Sequence, residues 1–174
     1  MTLEEKAKNI KAVILDIDGV LTDGRVGYND SADEIKFFDV KDGHAIKLLM
    51  RAHIKVGVLS GRMSKANQTR AAELGVNFLY ENEKDKREAF SRVLAEQKLA
   101  PEECLYIGDD LVDLPVLRRA GIGVAVGDAV PEIRDYVDRI TEAPGGRGAI
   151  RETAVWLLKA QGKWAKLIER YTRN

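Results

Sequence analysis

Three carboxylates crowd into Asp16-Ile17-Asp18-Gly19-Val20-Leu21-Thr22-Asp23-Gly24, directly after the apolar run Ala12-Val13-Ile14-Leu15. Like charges at the end of a buried run are unfavourable unless a cation or a hydrogen-bond network compensates them. Oxygen donors packed this tightly suit Mg²⁺. Asp16 has the place of a nucleophile, and Asp18, two residues on, can face the same group as acid and base. A solvated acidic turn is the structural alternative, and the buried run in front argues against it. A second acidic turn, Gly108-Asp109-Asp110-Leu111-Val112-Asp113, follows the run Cys104-Leu105-Tyr106-Ile107. Asp109 and Asp113 would bring carboxylates to a metal from the side opposite Asp16. Leu59-Ser60-Gly61-Arg62 ends a third run with a hydroxyl and a free backbone N–H, a pair that can cradle phosphate oxygens but is also an ordinary turn. Lys84-Asp85-Lys86 opens a helix, and either lysine could neutralise a phosphoryl group, or the run could be a solvated helix start. Phosphoryl transfer needs an in-line nucleophile, neutralised equatorial oxygens and a proton for the leaving group. The four segments together hold all of these.

Such residues converge only if the chain brings four segments to one edge. Apolar runs at 12–17, 55–60, 76–80, 104–107 and 122–126 read as strands buried on both faces. Between them lie helical patterns at about 42–53, 64–74, 85–98, 112–120 and 130–137. Ser64 is placed to cap the second, Asp113 and Pro115 suit the opening turn of the fourth, and Gly75 and Gly121 stand where positive φ is expected. This alternation predicts an α/β fold, a parallel sheet with helices on both sides. In such a sheet, ligands bind beyond the carboxyl ends of the strands, where all four segments fall. Residues 25–40 break the rhythm with two alternating runs around Asn29-Asp30-Ser31-Ala32-Asp33, a predicted β-hairpin carrying Val26, Tyr28, Ile35, Phe37 and Phe38. A glycine-rich loop, 143–148, precedes a helix near 149–161 and a tail with Trp164, Leu167, Ile168 and Tyr171. No segment is long enough for a second domain, so residues 1–174 read as one.

The 28 basic residues balance the 28 acidic ones, which argues against a nucleic-acid or acidic-membrane partner. No apolar run approaches membrane-spanning length, and Met1-Thr2-Leu3-Glu4-Glu5-Lys6 begins no signal-peptide core. Cys104 stands alone in a strand pattern and reads as a buried thiol. A cytoplasmic setting is expected. His44 and His53, nine residues apart around a helix, form no ligand pair.

The segments DIDGVLTDG, LSGR, the lysine of EKDKREAF, and GDDLVD resemble, in order, the four motifs of the haloacid dehalogenase superfamily. DGVLTDG, the hairpin ending in KFFDVKDG, and GGRGAIRE resemble more narrowly the 3-deoxy-D-manno-octulosonate 8-phosphate phosphatase family. That resemblance implies a three-layer α/β/α, Rossmann-like core of the haloacid dehalogenase type, without a cap domain. It implies Mg²⁺-dependent hydrolysis of a phosphorylated keto-sugar acid through an aspartyl phosphate. Asp16 would be the nucleophile, Asp18 the acid and base, and Ser60 and Lys86 phosphate contacts. Asp16, the Asp18 main chain and Asp109 would bind metal, with Asp113 nearby. Lys86 is the lysine that the third motif favours over Lys84. The resemblance further implies a homotetramer in which hairpins 25–38 meet at the centre. Gly61 and Arg62 would contact the sugar acid, Arg62 by a guanidinium fork on its carboxylate. Arg70 resembles an arginine reaching a neighbour's site, with a surface ion pair as the alternative. Arg147 and its loop would either close over the sugar or merely enter a helix. Three rivals remain at this stage: a phosphatase of a nine-carbon keto-sugar phosphate or of small phosphates broadly, a catalytically inactive module, and a receiver-type phosphoacceptor.

Overall fold

In chain order the strands of the computed structural model are β1 (Ala12–Leu15), β2 (Gly27–Tyr28), β3 (Glu34–Ile35), β4 (Lys55–Leu59), β5 (Phe78–Tyr80), β6 (Cys104–Gly108), β7 (Ile122–Ala125) and β8 (Arg139–Ile140). Residues 1–173 are described. Every residue of β1, β6 and β7 is buried, as expected for Val- and Ile-rich runs covered on both faces. The main sheet runs β5-β4-β1-β6-β7-β8 and all of its pairings are parallel. Chain order reverses at β1, which pairs with β4 on one side and β6 on the other. A crevice opens at the carboxyl end of β1 for that reason.

The helices are α1 (Leu3–Asn9), α2 (Val40–Arg51), α3 (Lys65–Leu74), α4 (Lys86–Gln97), α5 (Leu114–Leu117), α6 (Ala149–Ala160) and α7 (Trp164–Thr172). α2 packs on α6, with α1 against α6 and α3 beside α2, while α4 and α5 pair on the opposite face. Right-handed crossovers dictate this split, because the chain steps one way from β1 to β5 and then the other way from β6 to β8. The result is the expected three-layer α/β/α core. No helix among the described residues is long and apolar enough to cross a membrane.

Local chemistry explains where expectation and structure differ. Ser64 caps α3 through its side chain and Gly75 ends it at φ 64°, both as expected. Gly121 does not have positive φ. It is glycine because a Cβ there would lie 2.4 Å from the Glu102 carbonyl oxygen. The segment 112–120 is shorter in α-helix than predicted: a 3₁₀ turn, Leu111–Asp113, leads into α5 and is capped by Asp110. Residues 131–136 form a 3₁₀ helix opened by Pro131 in place of the predicted α-helix, since little chain separates it from β8. Helix α1 was not anticipated, although its capping box, Thr2 with Glu5, is written in the sequence. β8 was also missed, being two residues long.

The hairpin forms β2 and β3, paired antiparallel with Tyr28 opposite Glu34. The Asn29 side chain closes its turn by accepting the N–H groups of Ser31 and Asp33. Side chains then alternate by strand geometry. Ile35 and Phe37 point outward, 42% and 82% exposed, while Glu34 and Lys36 turn toward the crevice. Phe38 packs against the main core.

Candidate active site

The nucleophile turn is held by backbone pairing at one end and by a threonine in its middle. The Asp16 N–H donates to the Ile107 carbonyl at 3.1 Å, so the residue after β1 is pinned to β6. Buried Thr22 donates its hydroxyl to Ile17 O at 3.4 Å and accepts the N–H groups of Gly19 and Gly24 at 3.3 and 3.2 Å. Gly19 has φ 84°, and a Cβ on it would meet the Asp109 carboxylate at 2.0 Å. Glycine at this position is what lets the acidic turn after β6 close on the acidic turn after β1.

Asp85 caps α4 by accepting the Arg87 and Glu88 N–H groups, which sets Lys86 at the first helical position with its side chain aimed inward. The Lys86 ammonium is buried, 2.9 Å from Asp16 Oδ2 and 2.6 Å from Asp113 Oδ1. Lys84 instead stands at the rim and donates to Gly61 O at 3.0 Å. Asp113 Oδ1 also accepts the Tyr106 hydroxyl at 2.6 Å, and its Oδ2 accepts the N–H groups of Asp109 and Asp110 at 3.0 and 3.4 Å. Four donors thus occupy the Asp113 carboxylate. Asp16 and Asp109 keep oxygens for other partners.

Asp16, Asp109 and Asp113 each place a carboxylate oxygen within 4.8 Å of the others. Lys86 alone does not balance three carboxylates. Burial, and then the charge of Asp113, push Asp16 up to about 7 against the pull of Lys86. Burial, followed by the charges of Asp113 and Asp16, pushes Asp109 up to about 8. For Lys86, burial works against the charged form, but the adjacent Asp16 and Asp113 outweigh it and raise the ammonium above its usual range. An all-oxygen donor set with surplus negative charge fits Mg²⁺. Asp16 and Asp109 would hold the ion, and Asp113 would orient Lys86 and the β6 turn.

Asp16, Lys86 and Asp109 line a cavity of about 410 Å³ together with Asp18, Ser60 and Gly61, and Asp113 is fully buried behind them. Ser60 is buried at the end of β4, and its Oγ accepts the Arg62 N–H at 3.2 Å. The structure therefore gathers Asp16, Asp18, Ser60, Gly61, Lys86, Asp109 and Asp113 at one sheet edge.

Of the three arginines, only Arg62 stands at the cavity of this subunit. Arg62 lines the cavity rim, but its guanidinium is bound by Glu34 from the hairpin, with Asp18 Oδ2 at 3.8 Å from Nε. It is not a free fork. Arg70 points away from the cavity. It donates to Asp39 O at 3.3 Å, pairs with Glu73 at 3.4 Å and lies over the Phe38 ring at 5.5 Å. Arg147 is 66% exposed, its closest carboxylate Asp23 at 3.9 Å, outside the catalytic cavity.

The glycine-rich loop around Arg147 is a buttress in this chain. Gly146 donates to Val20 O at 2.8 Å, and a Cβ on Gly145 would lie 1.7 Å from the Gly19 carbonyl oxygen. Gly145 N–H is held by Asp128 at 2.8 Å, and buried Asp42 accepts the N–H groups of Gly148 and Arg151 at 3.0 and 2.8 Å. The loop lies flat on the nucleophile turn.

Sequence reasoning missed three side chains of the site. Tyr106 is fully buried, and burial with the neighbouring Asp113 holds its phenol well above the ordinary range, as a neutral donor. Its hydroxyl inside an otherwise apolar strand was the available signal. Glu34 and Lys36 were hidden because the hairpin was read for its apolar residues only. Their spacing of two places both on the opposite face. His44 lies outside the cavity, bonded to the Tyr171 hydroxyl at 2.9 Å. Cys104 is buried, and burial pushes its thiol up to about 12, which leaves it inert.

Comparison with known proteins bears on this geometry. The sequence profile of the haloacid dehalogenase-like hydrolases matches residues 71–148. The chain is 44% identical over 158 residues to the 3-deoxy-D-manno-octulosonate 8-phosphate phosphatase of Escherichia coli K12, covering 91% of this chain and 84% of that one. The structure of the Yersinia pestis 3-deoxy-D-manno-octulosonate 8-phosphate phosphatase superposes with a TM-score of 0.91 at 39% identity, over 94% of this chain and 88% of that one. The corresponding Moraxella catarrhalis enzyme, solved in complex with magnesium ion, phosphate ion and a KDO molecule, superposes with a TM-score of 0.94 at 36% identity, over 97% of each chain.

Proposed function

The chain belongs to the 3-deoxy-D-manno-octulosonate 8-phosphate phosphatase family of haloacid dehalogenase-like hydrolases, and from that premise we propose that it hydrolyses 3-deoxy-D-manno-octulosonate 8-phosphate to the free sugar acid and phosphate, with Mg²⁺ as cofactor and Asp16 as nucleophile. One observation carries the reading. The carboxylates of Asp16 and Asp109 and the ammonium of Lys86 converge in a single cavity at the carboxyl end of β1, with Ser60 and Gly61 on its wall. No ordinary solvated turn requires that convergence.

Asp16 attacks phosphorus, a new P–O bond forms to its carboxylate, and the bond to the sugar oxygen breaks. Asp18 donates a proton to that departing oxygen. It then takes a proton from the water that attacks the aspartyl phosphate, which releases phosphate and restores Asp16. Lys86, the Ser60 hydroxyl and the Gly61 N–H hold the phosphoryl oxygens, and Tyr106 and Asp113 hold Lys86. Bound Mg²⁺ neutralises the paired carboxylates and the phosphoryl oxygens as charge develops. Arg62, 45% exposed at the rim and anchored there by Glu34, is the cation that meets the sugar carboxylate.

The whole chain acts as one phosphatase domain, in the cytoplasm. Four copies assemble through the hairpins, a reading supported by the exposed Tyr28, Ile35 and Phe37 of the hairpin and Val40 just after it. Steady-state rates over a panel of phosphorylated sugars test the substrate: the eight-carbon keto-acid phosphate gives the highest kcat/KM, and chelation removes the activity. Preference for neutral sugar phosphates, or full activity after exhaustive chelation, would refute it.

A further inference from the structure

The hairpin does more than present an apolar face. Lys36 is among the most deeply buried charges in the chain, its side chain 0% exposed, and its ammonium lies 2.6 Å from Asp18 Oδ1 and 3.4 Å from Glu34 Oε2. Glu34 in turn binds Arg62, and Arg62 Nε lies 3.8 Å from Asp18 Oδ2. Asp18, Lys36, Glu34 and Arg62 therefore close a ring of alternating charge with no net charge. Burying an ammonium is costly unless close carboxylates compensate it. Here two do, and one of them belongs to the nucleophile turn. Strand geometry makes this possible, because residues 34 and 36 share the inward face of the hairpin while Ile35 and Phe37 take the outward one.

We infer that Lys36 is a positioning residue for Asp18: delivered by the hairpin, it clamps the side chain that must reach the leaving oxygen. This rests on Asp18 being the acid and base. Each oxygen of Asp18 faces a cation held from outside the nucleophile turn, so its carboxyl is fixed in direction by the hairpin and not by its own loop. Lys86, the cation of the phosphate cradle, pairs with Asp16 and Asp113, so loss of Lys36 leaves that cradle whole.

The test separates the two by leaving group. An alkyl phosphate needs a proton from Asp18 in its first step, whereas p-nitrophenyl phosphate, whose leaving group is already a weak base, does not. Lys36→Met and Lys36→Gln are compared with the parent in single-turnover experiments with Mg²⁺ present. Expected is a loss of about tenfold or more in the first turnover of the sugar phosphate. The p-nitrophenol burst and inhibition by inorganic phosphate stay within about threefold of the parent. Equal loss of both reactions in both variants, or retention of both, overturns the inference. Asp18→Asn is the companion control. It must show the same selectivity more strongly, and if it retains parent activity on the sugar phosphate, it is the acid assignment that fails. If it loses that activity while the Lys36 variants keep theirs, only the role of Lys36 fails.

Discussion

Asp16 and Asp109 repel each other and Asp113 across less than 5 Å, and burial keeps water from easing that repulsion. The folded chain without metal therefore holds protons on them more tightly than the unfolded chain, whose carboxyls titrate near 4. A carboxyl whose folded pKa is raised contributes stability in full below its unfolded value and loses it as pH rises through the folded one, here about 7 for Asp16 and about 8 for Asp109. In chelator, the thermal midpoint should fall by several degrees between pH 6 and 8.5. With Mg²⁺, which takes the ionised pair, the fall should vanish, so the stabilisation by metal widens as pH rises. A pH slope unaffected by Mg²⁺, read by calorimetry, would contradict this. At this scale the sequence was informative wherever a polar or charged residue directly follows a buried strand, as with Asp16, Ser60 and Asp109. It was blind where a charge acts across the fold. Nothing in the order of residues says that Lys36 reaches Asp18, or that the Tyr106 hydroxyl meets Asp113. Arg62 was placed correctly at the cavity rim, yet its partner Glu34 comes from a segment read for other reasons.

Elements legible by period and punctuation, the core strands and α2, α3, α4 and α6, lie within a few residues of expectation. α1 and β8 were missed, and the segment after Pro131 is tighter than an α-helix. Short elements carry too few side chains to show a period. The glycine-rich loop is the instructive element. Two readings of it stood open, closure over the sugar or a plain helix entry, and its backbone packs on the nucleophile turn so closely that side chains are excluded. Gly145→Ala should therefore push the 19–22 backbone away from Asp109. The cost should be about 2–4 kcal/mol in urea unfolding, with kcat lowered by about tenfold or more. A variant with parent stability and activity would show that the loop gives way freely and is no buttress.

For the molecule as a whole, the sheet order explains why one edge collects every reacting group, and the hairpin carries the exposed apolar residues on which the proposed assembly rests. Phe37 and Val40 are 82% and 80% exposed, and the proposed assembly would cover them. Phe37→Glu should lower the oligomer mass in sedimentation at micromolar concentration. Because Lys36 is its neighbour in the chain just after β3, activity should fall as the assembly dissociates and recover at high protein concentration. An unchanged mass would place the subunit contact elsewhere. The proposed reaction depends on a covalent phosphoryl group at one side chain. Rapid acid quench of Asp18→Asn with p-nitrophenyl phosphate and Mg²⁺, a substrate whose leaving group needs no proton from position 18, followed by peptide mass spectrometry, reads it directly. The predicted result is one added phosphoryl mass on the peptide containing Asp16, absent from the Asp16→Asn, Asp18→Asn double variant. Product formation with no modified peptide at any time, or modification on another residue, would contradict the account.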